Sequence, residues 1–145
     1  MKKNTVERQI MWGDLDPAEI VFYPRFYEWF DASGHLFMES LGLDLDQLWK
    51  KRQVQFGLVE TGCQYTRPGR YHEKVRIVTS IEDLAEKTLT LRYQIYHGSD
   101  DLPMVSGFEK RICMDVTDSD RIRAMAIPSD IYAIFAGAAK GVQTR

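Results

Sequence analysis

Cysteine is scarce in this chain: 145 residues include only Cys63 and Cys113, and the two form no CxxC pair. That spacing argues against a disulfide framework or a cysteine zinc site, so both read as reduced, packed thiols in separate strands. Histidine is nearly as rare, and His35, His72 and His97 lack HxxxH-type ligand spacing. They read as surface or turn residues, and no metal site is expected. Nowhere do eighteen uncharged apolar residues follow one another, and Met1-Lys2-Lys3-Asn4-Thr5 leads into no apolar run. Neither a membrane span nor a signal peptide is expected, which points to the cytoplasm. A formal net charge of -2 leaves no broad basic footprint for nucleic acid. Repeats and low-complexity blocks are absent.

What is present is an ordinary globular composition, 44% hydrophobic and 28% charged, in a length that suits one domain over residues 1–145. Residues from about Val6 to Trp12 alternate loosely and read as a first strand, ended by Gly13-Asp14. From Pro24, bulky residues recur at helical spacing: Phe26, Trp29, Phe30, Ser33, Phe37 and Leu41. Pro24 suits the first turn of that helix and Gly42 suits its exit. Ser33-Gly34 is a poor helix pair, which predicts close approach of another backbone. A short helical segment from Leu43 to Arg52 follows as a lid or connector.

Beyond Gln53 the texture is that of strands: Phe56 to Arg67, a strand from Tyr71 through Ile81, another over Leu89 to Ile95, then Met104 to Val116. Asp118-Ser119-Asp120 reads as a hairpin turn before a last strand, Ile122 to Ile127, and Pro128 opens a terminal helix to about Ala139. Residues 140–145 read as a frayed tail. The order predicts an α+β plan, an antiparallel sheet of five to six strands wrapped around one long helix. One sheet face would still need cover, so pairing with a second subunit is expected.

The chemistry is placed in Gly13-Asp14-Leu15-Asp16-Pro17-Ala18-Glu19-Ile20-Val21-Phe22-Tyr23-Pro24, where two carboxylates precede an apolar turn that opens into the helix. A helix start offers unpaired N–H groups and the positive end of the peptide dipole, which polarise a carbonyl or phosphate oxygen lying there. A nearby carboxylate could then attack or activate water. Taken alone, the aspartates read as turn residues, and only the whole block singles out Asp16 for catalysis, with Asp14 structural.

That block, with Gln9-Ile10 before it and Phe26-Tyr27 and Trp29-Phe30-Asp31-Ala32 after it, resembles the hot-dog-fold acyl-CoA thioesterases, most closely the 4-hydroxybenzoyl-CoA thioesterase branch. The resemblance runs from about Arg8 to Tyr132, with weaker matches at Lys87-Thr88, Arg92, Arg121-Ile122-Arg123-Ala124 and Ile127-Pro128. It implies hydrolysis of an acyl-CoA, aromatic or short-chain, to a free acid and coenzyme A without metal or organic cofactor. Asp16 corresponds to the family's catalytic aspartate, as nucleophile or general base. Tyr23 corresponds to the position whose backbone N–H binds the thioester oxygen. Asp31 is a candidate for the acyl end of the substrate or a neighbouring subunit, and an exposed helix face explains it equally well.

Lys87, Thr88, Arg92, Arg121 and Arg123 are candidates for binding the CoA moiety, the cations for its phosphates. The implied assembly is a dimer or a dimer of dimers, hence a homotetramer. Glu19 stands where the family usually has glycine, so the loop is expected either to lose a left-handed turn or to gain a charge beside the site. Pro24, where a second branch has histidine, removes a local acid/base histidine and disfavours a hydratase or dehydratase. The alternative from another class is a non-catalytic acyl-CoA or small-ligand binding module. The helix stripe of Phe26, Trp29, Phe30 and Phe37 is read as core, with Trp49 and Phe56 freer to line a pocket.

Overall fold

The computed structural model describes residues 1–141; residues 142–145 of the expected frayed tail lie outside the described residues. Strand β1 spans Lys3–Gln9, followed by a 3-10 turn at Trp12–Asp14 and helix α1 at Pro24–Ser40. Helix α2 is Leu45–Arg52, and the strands β2 Val54–Tyr65, β3 Lys74–Leu84, β4 Thr88–His97, β5 Pro103–Asp115 and β6 Arg123–Ala124 precede helix α3, Ser129–Ala138. The sheet is antiparallel in the order β1-β3-β4-β5-β2, with β6 paired to the far end of β5. This is the expected curled sheet around the long helix, with two shorter helices added.

Alternation explains which sheet face meets α1. Val75, Ile77, Thr79 and Ile81 on β3 are buried, as are Leu91, Tyr93 and Ile95 on β4. Burying that face against the apolar stripe of α1 removes Phe26, Trp29, Phe30 and Phe37 from water, and each such side chain contributes about 1.5–3 kcal/mol. The Phe30 ring stacks on Tyr93 with centroids 4.7 Å apart. Gly107 on β5 makes this possible, because a Cβ there would collide with the Phe30 ring.

Several boundaries differ from the sequence reading. β1 begins at Lys3 and ends at Gln9, because its residues pair with β3 from Ser80 back to Lys74, and Trp12 sits in the 3-10 turn. β3 starts at Lys74 rather than Tyr71, since His72 adopts a left-handed φ of 71° that ends extended pairing. The expected strand Ile122 to Ile127 shrinks to the two residues of β6. Only Met114↔Ala124 and Asp115↔Arg123 find partners there. His97, read as a turn residue, is partly buried at the end of β4, with Nε2 3.1 Å from Glu73 Oε2.

Ser33-Gly34 also has a different cause. A Cβ at Gly34 would collide with the Tyr93 hydroxyl, so the close neighbour is a side chain and not a backbone. Gly34→Ala should therefore cost about 1–2 kcal/mol, overpacking outweighing the gain in helix propensity. Denaturant titration of the two proteins measures it.

Helix α3 covers one end of the core with Ile131 and Phe135, and Arg52 at the end of α2 grips Asp130 through Nη1–Oδ2 and Nη2–Oδ1 contacts of 2.7 and 2.9 Å. The Arg52 hydrogen bonds hold the exposed Asp130 carboxyl down at about 2, against 3.8 for an unperturbed group. A depressed carboxyl stabilises the fold above its unfolded value and loses that contribution as pH falls through its folded one. Arg52→Gln should flatten the loss of thermal stability between about pH 4 and pH 2, as seen by melting curves across that range.

Candidate active site

Between β1 and α1 the chain has to turn sharply, and Asp14 and Asp16 make that turn by different means. Asp14 is buried; its Oδ2 accepts the Met11 N–H at 2.9 Å, and Arg8 on β1 lies 3.7 Å from its Oδ1. Asp14 therefore builds the loop. Asp16 accepts the Ala18 N–H on Oδ1 at 2.8 Å, an Asx turn, while its own N–H donates to the Ile20 carbonyl at 2.9 Å. Leu15 and Val21 close the turn as an isolated antiparallel bridge, and the Val21 N–H donates to the Gly69 carbonyl at 2.9 Å.

This tight loop points Asp16 into a cavity of about 420 Å³ whose wall includes Tyr23, Phe26, Tyr65 and Gly69. Asp16 is half-buried, with only one carboxylate oxygen committed to the turn. Tyr23 is the N-cap of α1, and Pro24 takes the first helical position, where its missing N–H costs nothing. Tyr23 is 60% exposed. Asp16 and the N-cap residue Tyr23, at the positive end of a 17-residue helix, thus line one cavity. That combination can polarise a carbonyl and place a nucleophile or base near it.

Glu19 keeps the left-handed turn: its φ is 64°. The expected loss of that turn does not occur; the loop keeps its shape with a side-chain residue in a region that favours glycine. Glu19→Gly should stabilise the protein by about 1 kcal/mol without altering the loop, to be measured as a shift in the denaturation midpoint.

The expected CoA-binding residues gather elsewhere. Lys87 lies in the β3–β4 turn, where its carbonyl accepts the Cys113 N–H at 2.8 Å, and the Cys113 carbonyl accepts the Met125 N–H at 2.9 Å. Lys87, Thr88 at the start of β4, Arg121 and Arg123 therefore share the end of the sheet where β5 finishes, with the three cations exposed. Arg92 is not with them. It sits further along β4, bonded to Glu82 and to Ser106 Oγ at 3.3 Å, with its guanidinium over Phe108.

Asp16's cavity lies at the opposite end of β5, beside Tyr65, which pairs with Val105. From Val105 to Cys113 is roughly 26 Å of strand. Within one chain the carboxylate and the cation cluster do not meet.

Asp31 is half-exposed on α1, and Arg111 Nη2 donates to its Oδ1 at 2.7 Å. His35 Nε2 is 3.6 Å from the same oxygen. Arg111 also donates to Glu109 Oε2 at 3.1 Å and to the Phe56 carbonyl at 3.2 Å. Glu109 is 3% exposed, and its other oxygen accepts the Tyr93 hydroxyl at 2.6 Å. Burial, then the Glu109 carboxylate, push the Tyr93 hydroxyl far above its usual range, so it remains a donor.

Sequence reasoning missed Glu109 and Arg111. Their signal was available only as charges on the inward parity of β5, shared with Gly107 and Cys113, and that parity is ambiguous where Phe108 and Ile112 occupy the alternate positions. Trp49 and Phe56 do line a cavity, one of about 390 Å³ between α1, α2 and β2. Among the described residues no His, Cys, Asp and Glu cluster suits a metal, and no helix is long and apolar enough to cross a membrane.

Comparison with known proteins adds relatives to this geometry. A model of the thioesterase-like superfamily matches residues 10–135. The 4-hydroxybenzoyl-CoA thioesterase of Pseudomonas sp. (strain CBS-3) is 26% identical over 133 residues, covering 87% of this chain and 92% of that protein. Its solved structure superposes with a TM-score of 0.84 at 25% identity, covering 92% of this chain and 99% of that one. The structure of a gentisyl-coenzyme A thioesterase is 32% identical with a TM-score of 0.77, again covering 92% and 99%.

Proposed function

The chain belongs to the thioesterase-like superfamily and is an acyl-CoA thioesterase, and from that premise we propose that Asp16 and the Tyr23 N–H carry the reaction. The observation that supports this is their convergence on one cavity at the start of α1. The thioester carbonyl oxygen accepts the Tyr23 N–H, at a helix end whose dipole favours the negative charge developing on that oxygen. One such donor is typically worth about 3–4 kcal/mol in the transition state.

Asp16 acts as nucleophile or as general base. In the first case its free oxygen bonds to the acyl carbon, the C–S bond breaks, and the CoA thiolate takes a proton; water then cleaves the mixed anhydride. In the second, Asp16 removes a proton from the water that attacks the acyl carbon, the C–S bond breaks, and the CoA thiolate takes up that proton. Either route consumes one water, gives a free acid and CoA, and calls for no metal or organic cofactor.

The acyl group is aromatic or short. A 4-hydroxybenzoyl-CoA thioesterase and a gentisyl-coenzyme A thioesterase among the relatives support an aromatic one. Lys87, Arg121 and Arg123, with Thr88, bind the CoA phosphates from the far end of the sheet of a second copy, because one chain keeps them away from Asp16. The working unit is accordingly a homodimer or a dimer of dimers. Arg92 takes part only by exchanging Glu82 for a phosphate.

Release of thiol from benzoyl-, hydroxybenzoyl-, phenylacetyl- and aliphatic acyl-CoAs tests this reading. Asp16→Asn should lower kcat by about 10²–10⁴-fold while CoA still binds. Near wild-type turnover in that variant would remove Asp16 from the mechanism.

A further inference from the structure

Three cavities follow one another along a single face of α1. Tyr23 lines the Asp16 cavity, Tyr27 and Asp31 line a second, and His35 and Met38 line the third. These positions are spaced three and four apart, which is one face of a helix. Edge strand β2 forms the opposite wall in reverse order, with Tyr65 beside the first cavity, Thr61 and Leu58 beside the second and Phe56 and Val54 beside the third. The result is a groove between α1 and β2 that runs from the Asp16 cavity to α2, whose Leu45 and Trp49 line its far end.

Arg111 stands across this groove. It rises from β5 on the groove floor, and its guanidinium is pinned to α1 through Asp31, to β2 through the Phe56 carbonyl and to β5 through Glu109. It belongs to the wall of both the second and the third cavity, as does Glu109. The arginine is only 14% exposed, so its attachments form a fixed partition. On its far side lies the compartment of about 390 Å³, its walls mostly apolar (Met38, Leu45, Trp49 and Phe56) with Asp46 and Gln55 among them, and large enough for a substantial acyl tail. Asp31 lies about 12 Å along the helix from Tyr23.

We infer that Arg111 is a specificity-determining residue that sets the depth of the acyl compartment. Resting on the function proposed above, this assigns the near part of the groove to the acyl group and makes the charged crossbar the stop for longer chains. An extended alkyl chain would have to pass a hydrogen-bonded cation and two carboxylates, burying them against methylenes without compensation. A compact ring or short chain ends before the crossbar and leaves it intact.

Removing the crossbar should join the two compartments. Arg111→Met alone would leave Glu109 buried without its cation, so Glu109→Gln/Arg111→Met is made beside it; the glutamine keeps a hydrogen-bond partner for Tyr93. Thiol release is followed with benzoyl-, butanoyl- and dodecanoyl-CoA for wild type, both variants and each variant combined with Asp16→Asn. Wild type is expected to discriminate strongly against dodecanoyl-CoA. The double variant should raise kcat/KM for dodecanoyl-CoA relative to benzoyl-CoA by about tenfold or more. The gain should vanish with Asp16→Asn.

An unchanged acyl-length profile in a folded double variant, with turnover still dependent on Asp16, overturns the assignment of Arg111. So does a wild type that cleaves dodecanoyl-CoA as well as butanoyl-CoA, a result that needs no variant to fold. Turnover independent of Asp16 in every protein instead overturns the catalytic reading on which this inference rests.

Discussion

How near helix α1 can come to the sheet governs both the core and the groove. Phe30 stacks on Tyr93, and Gly107 and Gly34 leave the space that ring and phenol need. That packing buries the Tyr93 hydroxyl, and a buried donor needs an acceptor. Glu109 supplies it and is itself buried, so a cation becomes necessary; Arg111 provides the cation and reaches out to Asp31 on the half-exposed helix face. A single close contact in the core therefore propagates as a chain of hydrogen bonds into the groove. The charges stand there because the core requires them, and they shape the space a substrate would occupy.

The loop before α1 follows a separate logic. Its shape comes from short-range bonds: Asp14 to the Met11 N–H, Asp16 to the Ala18 N–H, and the Leu15–Val21 bridge. These fix a carboxylate beside a helix start, and buried Val21, bonded to the Gly69 carbonyl, ties the loop to the core. Glu19 at φ 64° shows how strongly the loop is determined, since the surrounding bonds hold a conformation that its side chain disfavours. The sheet, by contrast, keeps the exposed cations at the other end of β5 and leaves β2 as an edge with Leu58, Val59 and Tyr65 exposed. Such an apolar edge favours pairing with another strand, in keeping with the second copy in the proposed working unit.

Legibility in the sequence tracked the range of the interaction. Helix α1 was readable from its stripe and from Pro24, and β3 and β4 from strict alternation, because those patterns repeat the geometry of the element itself. The Asp16 loop stood out as a block of residues and as a resemblance. Failures came where a distant partner decided the outcome. Gly34 answers to the hydroxyl of Tyr93 and not to a backbone, and Glu82 holds Arg92 apart from Lys87 and Arg121. The strand expected over Ile122 to Ile127 keeps only two ladder pairs, Met125 and Ile127 bonding instead to the Cys113 and Glu86 carbonyls.

The sequence by itself determined the element order, the buried stripe of α1 and the placing of a carboxylate just before a proline-started helix, all of which depend on neighbours within a few positions. Only the tertiary structure decided that Arg111 bridges α1, β2 and β5, that Asp16 and the cation cluster lie at opposite ends of the sheet, and which side chains share a cavity. Those facts depend on strand register and on the rotation of α1 over the sheet. Both are set by packing between residues as far apart in the chain as Phe30 and Tyr93, and no local pattern encodes them.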